Sequence, residues 1–176
     1  MLAGNESDVR PMNTTALDLP SDREILITRA FNGPARIVYD AFTKPELVAR
    51  WWAPTSLGVS IVSCDADVRV GGSYRYVIQV RQIGQMAFSG KYLELAPYSR
   101  VVYTQVFEPT AAGAQPNDPA ITVTVTFEER DGKTHMRSLT SCPTKEIRDG
   151  IIASGMETGM RETMDQLEML VIGSLR

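Results

Sequence analysis

Residues 144–172 have the sequence TKEIRDGIIASGMETGMRETMDQLEMLVI, which carries the longest helical pattern in the chain. Its apolar residues recur every three or four positions, and this is the spacing of one face of an α-helix. Pro143 and Thr144 precede the first apolar residue, and both suit the start of a helix. The stretch therefore predicts one long amphipathic helix that lies across a broad apolar partner.

Two features of this helix are unusual for simple packing. Gly155 and Gly159 lie one turn apart inside it, and a glycine costs about 1 kcal/mol relative to alanine in a helix. Met156, Met160 and Met164 supply its apolar face, and methionine is a flexible side chain that fills irregular space. Two interpretations stay open: the glycines allow close approach to a sheet beside an ordinary core, or this face is under-filled and covers a cavity for an apolar ligand.

The rest of the chain predicts the structure against which the C-terminal helix packs. Residues 24–31 alternate as a strand, Pro34 opens a short helix, and a second short helix leads to Trp51 and Trp52. Residues 59–140 consist of strand patterns separated by short turns. This order predicts an α+β fold, in which a curved antiparallel sheet of about six or seven strands surrounds the C-terminal helix.

Residues 1–22 are polar and lack periodicity, so they predict a flexible N-terminal arm. The folded domain is expected to span residues 23–176. An arm of this length could reach a second subunit.

Composition limits the possible functions. The 176 residues are 43% hydrophobic, as expected for one globular domain. A net charge of −3 argues against nucleic-acid binding, which needs a concentrated basic patch. The sequence has no apolar run of about 20 residues and no apolar N-terminal leader. Cys64 and Cys142 are far apart and His135 is the only histidine, which argues against a metal site and indicates free thiols in a reducing cytoplasm. We therefore expect a cytoplasmic protein with no membrane span, no metal and no cofactor.

The sequence contains no recognisable catalytic set, so an enzyme is the less favoured interpretation. Glu94 is the one carboxylate whose alternation with Tyr92 could place it on the inner face of the sheet, as a weak candidate for a general acid or base. A bulge at Gly90 would reverse this orientation. A mostly apolar pocket with a few polar groups is better supported, because tyrosines face a methionine-rich helix. The candidate ligand-binding residues are Trp51, Trp52, Tyr74, Tyr76, Phe88, Tyr92, Tyr103, Met156, Met160 and Met164.

An ordered set of short motifs carries a family resemblance. These are KPEL (44–47), RWWAP (50–54), DVRVGGSY (67–74), SGKYLE (89–94), VYT (102–104) and SGMETG (154–159). Together they resemble the bacterial branch of the family named for the activator of Hsp90 ATPase, within the START-like, SRPBCC or Bet v 1-like superfamily. The resemblance spans roughly residues 23–172. It departs at Met160, where the family commonly has tryptophan, so the cavity here is expected to be wider or differently shaped.

The resemblance implies a helix-grip fold with an internal cavity, and it favours the under-filled interpretation of the C-terminal helix. The predicted function is binding of a hydrophobic or lipid-like small molecule between the sheet and that helix. The alternatives are an enzyme of cyclase or hydrolase type and a co-chaperone-like role, which the family name alone suggests. The resemblance also makes a homodimer plausible.

Overall fold

The computed structural model describes residues 14–110, 112–114 and 118–176. Within these ranges the chain forms one sheet and four α-helices. The strands are β1 (Ala16–Asp18), β2 (Glu24–Phe31), β3 (Val59–Ala66), β4 (Ser73–Val80), β5 (Gly84–Ala96), β6 (Arg100–Glu108), β7 (Ala120–Arg130) and β8 (Lys133–Ser141). The helices are α1 (Ala35–Thr43), α2 (Pro45–Val48), α3 (Lys145–Ala153) and α4 (Met156–Gly173), with a 3₁₀ turn at Thr55–Leu57.

The sheet is antiparallel throughout, in the order β1-β2-β8-β7-β6-β5-β4-β3. Strands β3 to β8 follow one another as a meander, whereas α1 and α2 connect β2 to β3 at the far edge. The α+β helix-grip architecture predicted from the sequence is confirmed, and β2 has the predicted bounds. The sheet has eight strands, rather than six or seven.

The register of the sheet shifts at two points. One shift lies between Ile61 and Ser63 in β3, and the other lies between Tyr92 and Glu94 in β5. An extra residue in one strand bends that strand and increases its twist. Both irregularities therefore help the sheet to curve around its contents.

The core lies between the concave face of the sheet and helices α1 and α4. Helix α4 contacts β2 and α1, while α1 lies against β7 and β8. Phe31, Val38, Val125, Leu167 and Val171 are fully buried here. The apolar residues in the C-terminal half of α4 thus pack into the core, as their periodicity predicted.

The prediction of one uninterrupted helix over residues 144–172 is wrong. Helix α3 ends at Ala153, and α4 begins at Met156 after Gly155, whose φ of 79° is left-handed. Glycine tolerates this conformation because it has no Cβ. The predicted start is correct, since the Thr144 side chain accepts a hydrogen bond from the Ile147 amide at 3.2 Å. Gly155 is therefore a junction between two helices, whereas Gly159 lies within α4.

The folded domain was predicted to begin at residue 23, but strand β1, which begins at Ala16, pairs with β2. Two buried or half-buried arginines hold the preceding Thr15: Arg29 donates to its hydroxyl at 3.0 Å, and Arg161 donates to its carbonyl oxygen. Residues 14–22 of the predicted arm therefore belong to the folded domain. Residues 1–13 lie outside the described part of the chain.

Across the described residues, the helices are too short or too polar to cross a membrane.

Candidate functional site: an aromatic cavity under the tryptophan loop

A small cavity lies between the concave face of strands β4–β6 and the segment around α2. Its volume is about 30 Å³, which is room for about two water molecules. Ten residues line it: Phe42, Val48, Trp51, Trp52, Tyr74, Tyr76, Tyr92, Val101, Tyr103 and Gln105. The lining is therefore mostly aromatic, and its polar atoms belong mainly to tyrosines.

Strand alternation explains why the tyrosines meet. Tyr74 and Tyr76 share one face of β4, and their rings lie 4.9 Å apart. Tyr92 on β5 is paired with Tyr103 on β6, and the Tyr74 ring lies 5.6 Å from each of these two rings. Offset and edge-to-face contacts at such distances stabilise aromatic clusters.

Gly90 makes room for the Tyr74 ring. A Cβ atom at this position would lie 1.8 Å from the Thr104 carbonyl oxygen and 2.9 Å from the Tyr74 ring. Glycine therefore lets Tyr74 lie across β5, where its hydroxyl donates to the Thr104 carbonyl oxygen at 2.7 Å. The hydrogen of this hydroxyl is therefore already engaged and is not available to a ligand acceptor.

The two tryptophans close the cavity from the helical side. The Trp51 Nε1–H donates to the Ala41 carbonyl oxygen at 2.9 Å, and this side chain is buried. The Trp52 ring lies 5.4 Å from Tyr76 and 4.8 Å from Phe88, and the residue is half-buried. Trp51 is thus fixed by a hydrogen bond to α1, and Trp52 lies between the cavity and the surface.

Burial keeps the tyrosines protonated. It raises the pKa of Tyr74, Tyr76 and Tyr103 well above the usual range, and neighbouring tyrosines add to the effect. Burial also raises the pKa of Tyr92, although the nearby Tyr76 hydroxyl acts in the opposite direction. At neutral pH each hydroxyl can therefore donate a hydrogen bond but cannot act as a base.

The Tyr92 hydroxyl is buried without a well-formed hydrogen bond, although the Tyr76 hydroxyl lies close enough to act on it. Tyr92 is only 2% exposed, and its hydroxyl makes no hydrogen bond of normal geometry with any described residue. A buried polar group without a partner costs about 1–3 kcal/mol. The Tyr92 hydroxyl is therefore a fully buried polar atom of the cavity wall that a ligand acceptor could satisfy.

The structure brings together six of the residues predicted from the sequence: Trp51, Trp52, Tyr74, Tyr76, Tyr92 and Tyr103. Phe88 is not in the lining but packs against Trp52. The three predicted methionines are not in the lining either. Met164 is buried in the core, and Met156 and Met160 pack against the core from α4. The cavity lies nearer to α2 than to the methionine face, because α4 contacts β2 at the other side of the sheet.

Glu94 does not reach the inner face, contrary to the expectation from alternation. The register shift between Tyr92 and Glu94 turns the carboxylate outward, where it is exposed and forms a 3.1 Å ion pair with Arg100. Glu94 therefore lies outside the cavity, where it could not act on a molecule bound there.

Four lining residues were not predicted from the sequence: Phe42, Val48, Val101 and Gln105. Alternation with Tyr103 could have identified Val101 and Gln105, since residues 101, 103 and 105 share one face of a strand. Phe42 and Val48 come from two short helices whose orientation against the sheet depends on tertiary packing.

Residues 32–171 match the family model described as Activator of Hsp90 ATPase homolog 1-like protein. The chain belongs to this family. The motifs that carried the resemblance, from RWWAP to SGMETG, lie within the matched range. The family has a START-like fold and is known for ligand binding.

Solved structures from bacteria share the fold. A protein of Staphylococcus epidermidis is 32% identical, with a TM-score of 0.72 over 90% of this chain and 94% of its own. A protein of Nitrosomonas europaea is 24% identical, with a TM-score of 0.77 over 89% and 98%. A protein of Rhodobacter sphaeroides is 21% identical, with a TM-score of 0.79 over 90% and 99%. No significant match was found among curated proteins.

Proposed function

We propose that this protein binds a small, mostly apolar molecule that carries a hydrogen-bond acceptor, in the cavity between strands β4–β6 and the tryptophans. The unpartnered hydroxyl of Tyr92 is the observation that carries this proposal. A ligand acceptor placed near this oxygen would recover the free energy lost by its burial. The surrounding rings would supply the apolar contact area.

The lining favours an uncharged ligand. Its residues are apolar or aromatic apart from Gln105, and it holds no Asp, Glu, Lys or Arg among the described residues. An ion moved into such a site would lose its hydration without gaining a charged partner. The raised pKa values of the tyrosines argue against a tyrosinate base in this site at neutral pH.

The cavity must expand to receive such a molecule. Typical small-molecule pockets have volumes of about 300–1,000 Å³, compared with about 30 Å³ here. The side chain that would move is Trp52, because it is half-buried and lies between the cavity and Phe88. In the structure described here the cavity is therefore too small for such a molecule until Trp52 moves.

A matched pair of ligands tests the proposal. 2-Acetylnaphthalene has a carbonyl acceptor, whereas 2-ethylnaphthalene has the same apolar body without one. Titration followed by intrinsic tryptophan fluorescence is expected to show saturable binding of both, with the ketone about 2- to 10-fold tighter from one net hydrogen bond. Tyr92→Phe is expected to abolish this preference.

Tyr98→Phe is the matched control, because Tyr98 is exposed and lies outside the lining. It should keep the preference for the ketone. Absence of saturable binding by either naphthalene would contradict the proposal, and so would a preference that survives in Tyr92→Phe.

A further inference from the structure

The segment that carries both tryptophans is held by two side chains of helix α4. Residues 51–57, called here the tryptophan loop, run from Trp51 through the 3₁₀ turn. Gln166 and Glu162 lie one turn apart on α4 and are half-buried. Neither residue was selected from the sequence, where both fall on the polar side of the helical pattern.

Gln166 uses both ends of its amide on this loop. Its Nε2 donates to the carbonyl oxygens of Trp51 and Ala53, at 2.9 and 2.8 Å. Its Oε1 accepts from the Thr55 amide at 3.3 Å and from the Thr55 hydroxyl at 3.1 Å. One side chain therefore satisfies polar groups on both sides of Trp52.

Glu162 holds the next residue of the loop. Its carboxylate accepts from the Ser56 amide at 2.7 Å and from the Ser56 hydroxyl at 2.6 Å. Hydrogen bonds to a charged carboxylate are stronger than those between neutral groups. Next to this contact, the loop packs against Gly159 of α4. A Cβ atom at Gly159 would lie 3.4 Å from Pro54 and 3.9 Å from Leu57. These are ordinary van der Waals distances, so the loop lies directly against this face of the helix.

The indole ring of Trp52 has no hydrogen bond to hold it among the described contacts, in contrast to the Trp51 ring, which donates to α1. Its position depends on ring contacts and on the loop backbone that Gln166 and Glu162 fix. We infer that Gln166 and Glu162 form a latch that keeps the tryptophan loop closed over the cavity, and that ligand entry requires this latch to open. The control of ligand entry rests on the proposed function. The closure of the loop by Gln166 and Glu162 can be measured without a ligand.

The first test uses Gln166→Met, which keeps the side-chain length and removes all four hydrogen bonds to the loop. Amide hydrogen exchange at Thr55 and Ser56 reports directly on loop opening, since both amides donate to the latch. We expect their exchange to become at least tenfold faster, with no change in the amides of β7. Glu162→Gln keeps an acceptor oxygen and should give a smaller acceleration, at Ser56 first.

Tryptophan fluorescence gives a second, independent measurement. The chain has two tryptophans, and both are on the tryptophan loop. Quenching by acrylamide should therefore increase in Gln166→Met. Thr158→Ala, at an exposed position on α4, is the matched control and should match the wild type in both measurements. Unchanged exchange at Thr55 and Ser56, or equally faster exchange throughout the sheet, would overturn the latch.

Stopped-flow binding of 2-acetylnaphthalene separates the latch from the proposed function. The Gln166→Met variant should bind and release the ketone about tenfold faster, with a much smaller change in Kd, because the latch controls access rather than contact. Tyr92→Phe should change Kd with little effect on the association rate. If the wild type does not bind the ketone, the proposed function fails and the exchange data alone decide the latch. If the ketone binds at the same rate to Gln166→Met and wild type, the latch does not control entry.

Discussion

Replacing Tyr92 by phenylalanine should stabilise the ligand-free protein, although it removes a polar group from a candidate binding site. The Tyr92 residue is 2% exposed, and its hydroxyl lacks a partner among the described residues. The penalty for burying such a group is about 1–3 kcal/mol, and phenylalanine does not incur it. Some packing is lost with the oxygen atom, so a net gain of about 1 kcal/mol in the free energy of unfolding is expected.

Tyr74→Phe provides a matched control of opposite sign. The Tyr74 hydroxyl donates to the Thr104 carbonyl oxygen at 2.7 Å, so its removal leaves that acceptor without its side-chain partner. A loss of about 1 kcal/mol is expected from one net hydrogen bond. Both changes remove one oxygen atom from neighbouring rings of the same cluster, and only the hydrogen-bonding state differs.

Differential scanning calorimetry measures both effects. For a domain of this size, about 1 kcal/mol shifts Tm by about 2–4 °C. We therefore expect a higher Tm for Tyr92→Phe and a lower Tm for Tyr74→Phe, with urea titration giving the same order. A Tm that falls in Tyr92→Phe as far as in Tyr74→Phe would refute the reasoning, because the Tyr92 hydroxyl would then have a stabilising partner in the free protein.

Three other changes test the local geometry. Gly155→Ala should destabilise the protein by about 1–2 kcal/mol in thermal unfolding, because φ is 79° at the α3–α4 junction, whereas an unchanged Tm would indicate that the junction adapts. Gly90→Ala should cost about 3 kcal/mol or more, measured by urea unfolding, because the new Cβ would lie 1.8 Å from the Thr104 carbonyl oxygen; near-wild-type stability would contradict this contact. Arg75 donates to Glu108 at 3.0 and 3.2 Å and holds the pKa of this buried carboxyl below its usual value. The stability gained from this ion pair is present above the ordinary glutamate pKa of about 4.3 and is lost as the pH falls through the folded pKa. Glu108→Gln should therefore have a lower free energy of unfolding than wild type at pH 7. The difference between the two free energies should shrink in acid.

Strong local patterns made much of the fold predictable. Strand β2 has the predicted bounds because its β-branched residues alternate between two clear turn signals. Tyr74 and Tyr76 face inward as the alternation of β4 indicates. Strand β1 was not predicted, because three residues are too few to show a period. The contacts of Arg29 and Arg161 with the preceding Thr15 join residues far apart in the sequence.

The remaining errors have physical causes that a periodic pattern does not contain. The helical period continues across Gly155, so only the positive φ of this residue reveals the break into α3 and α4. A one-residue register shift after Tyr92 turned Glu94 outward, since side chains alternate with a period of two. Six of the aromatic residues predicted for the site line one cavity. The contact of Gln166 with the tryptophan loop could not be predicted, because it depends on which helix face lies beside the loop.

Nuclear Overhauser effects between a bound ligand and the protein test the central claim most directly. With 2-acetylnaphthalene in solution, we expect intermolecular effects from the naphthalene protons to the rings of Trp52, Tyr76 and Tyr92. Intermolecular Overhauser effects only to side chains on the convex face of the sheet, such as Arg75 and Lys91, would contradict binding in the cavity between β4–β6 and the tryptophans.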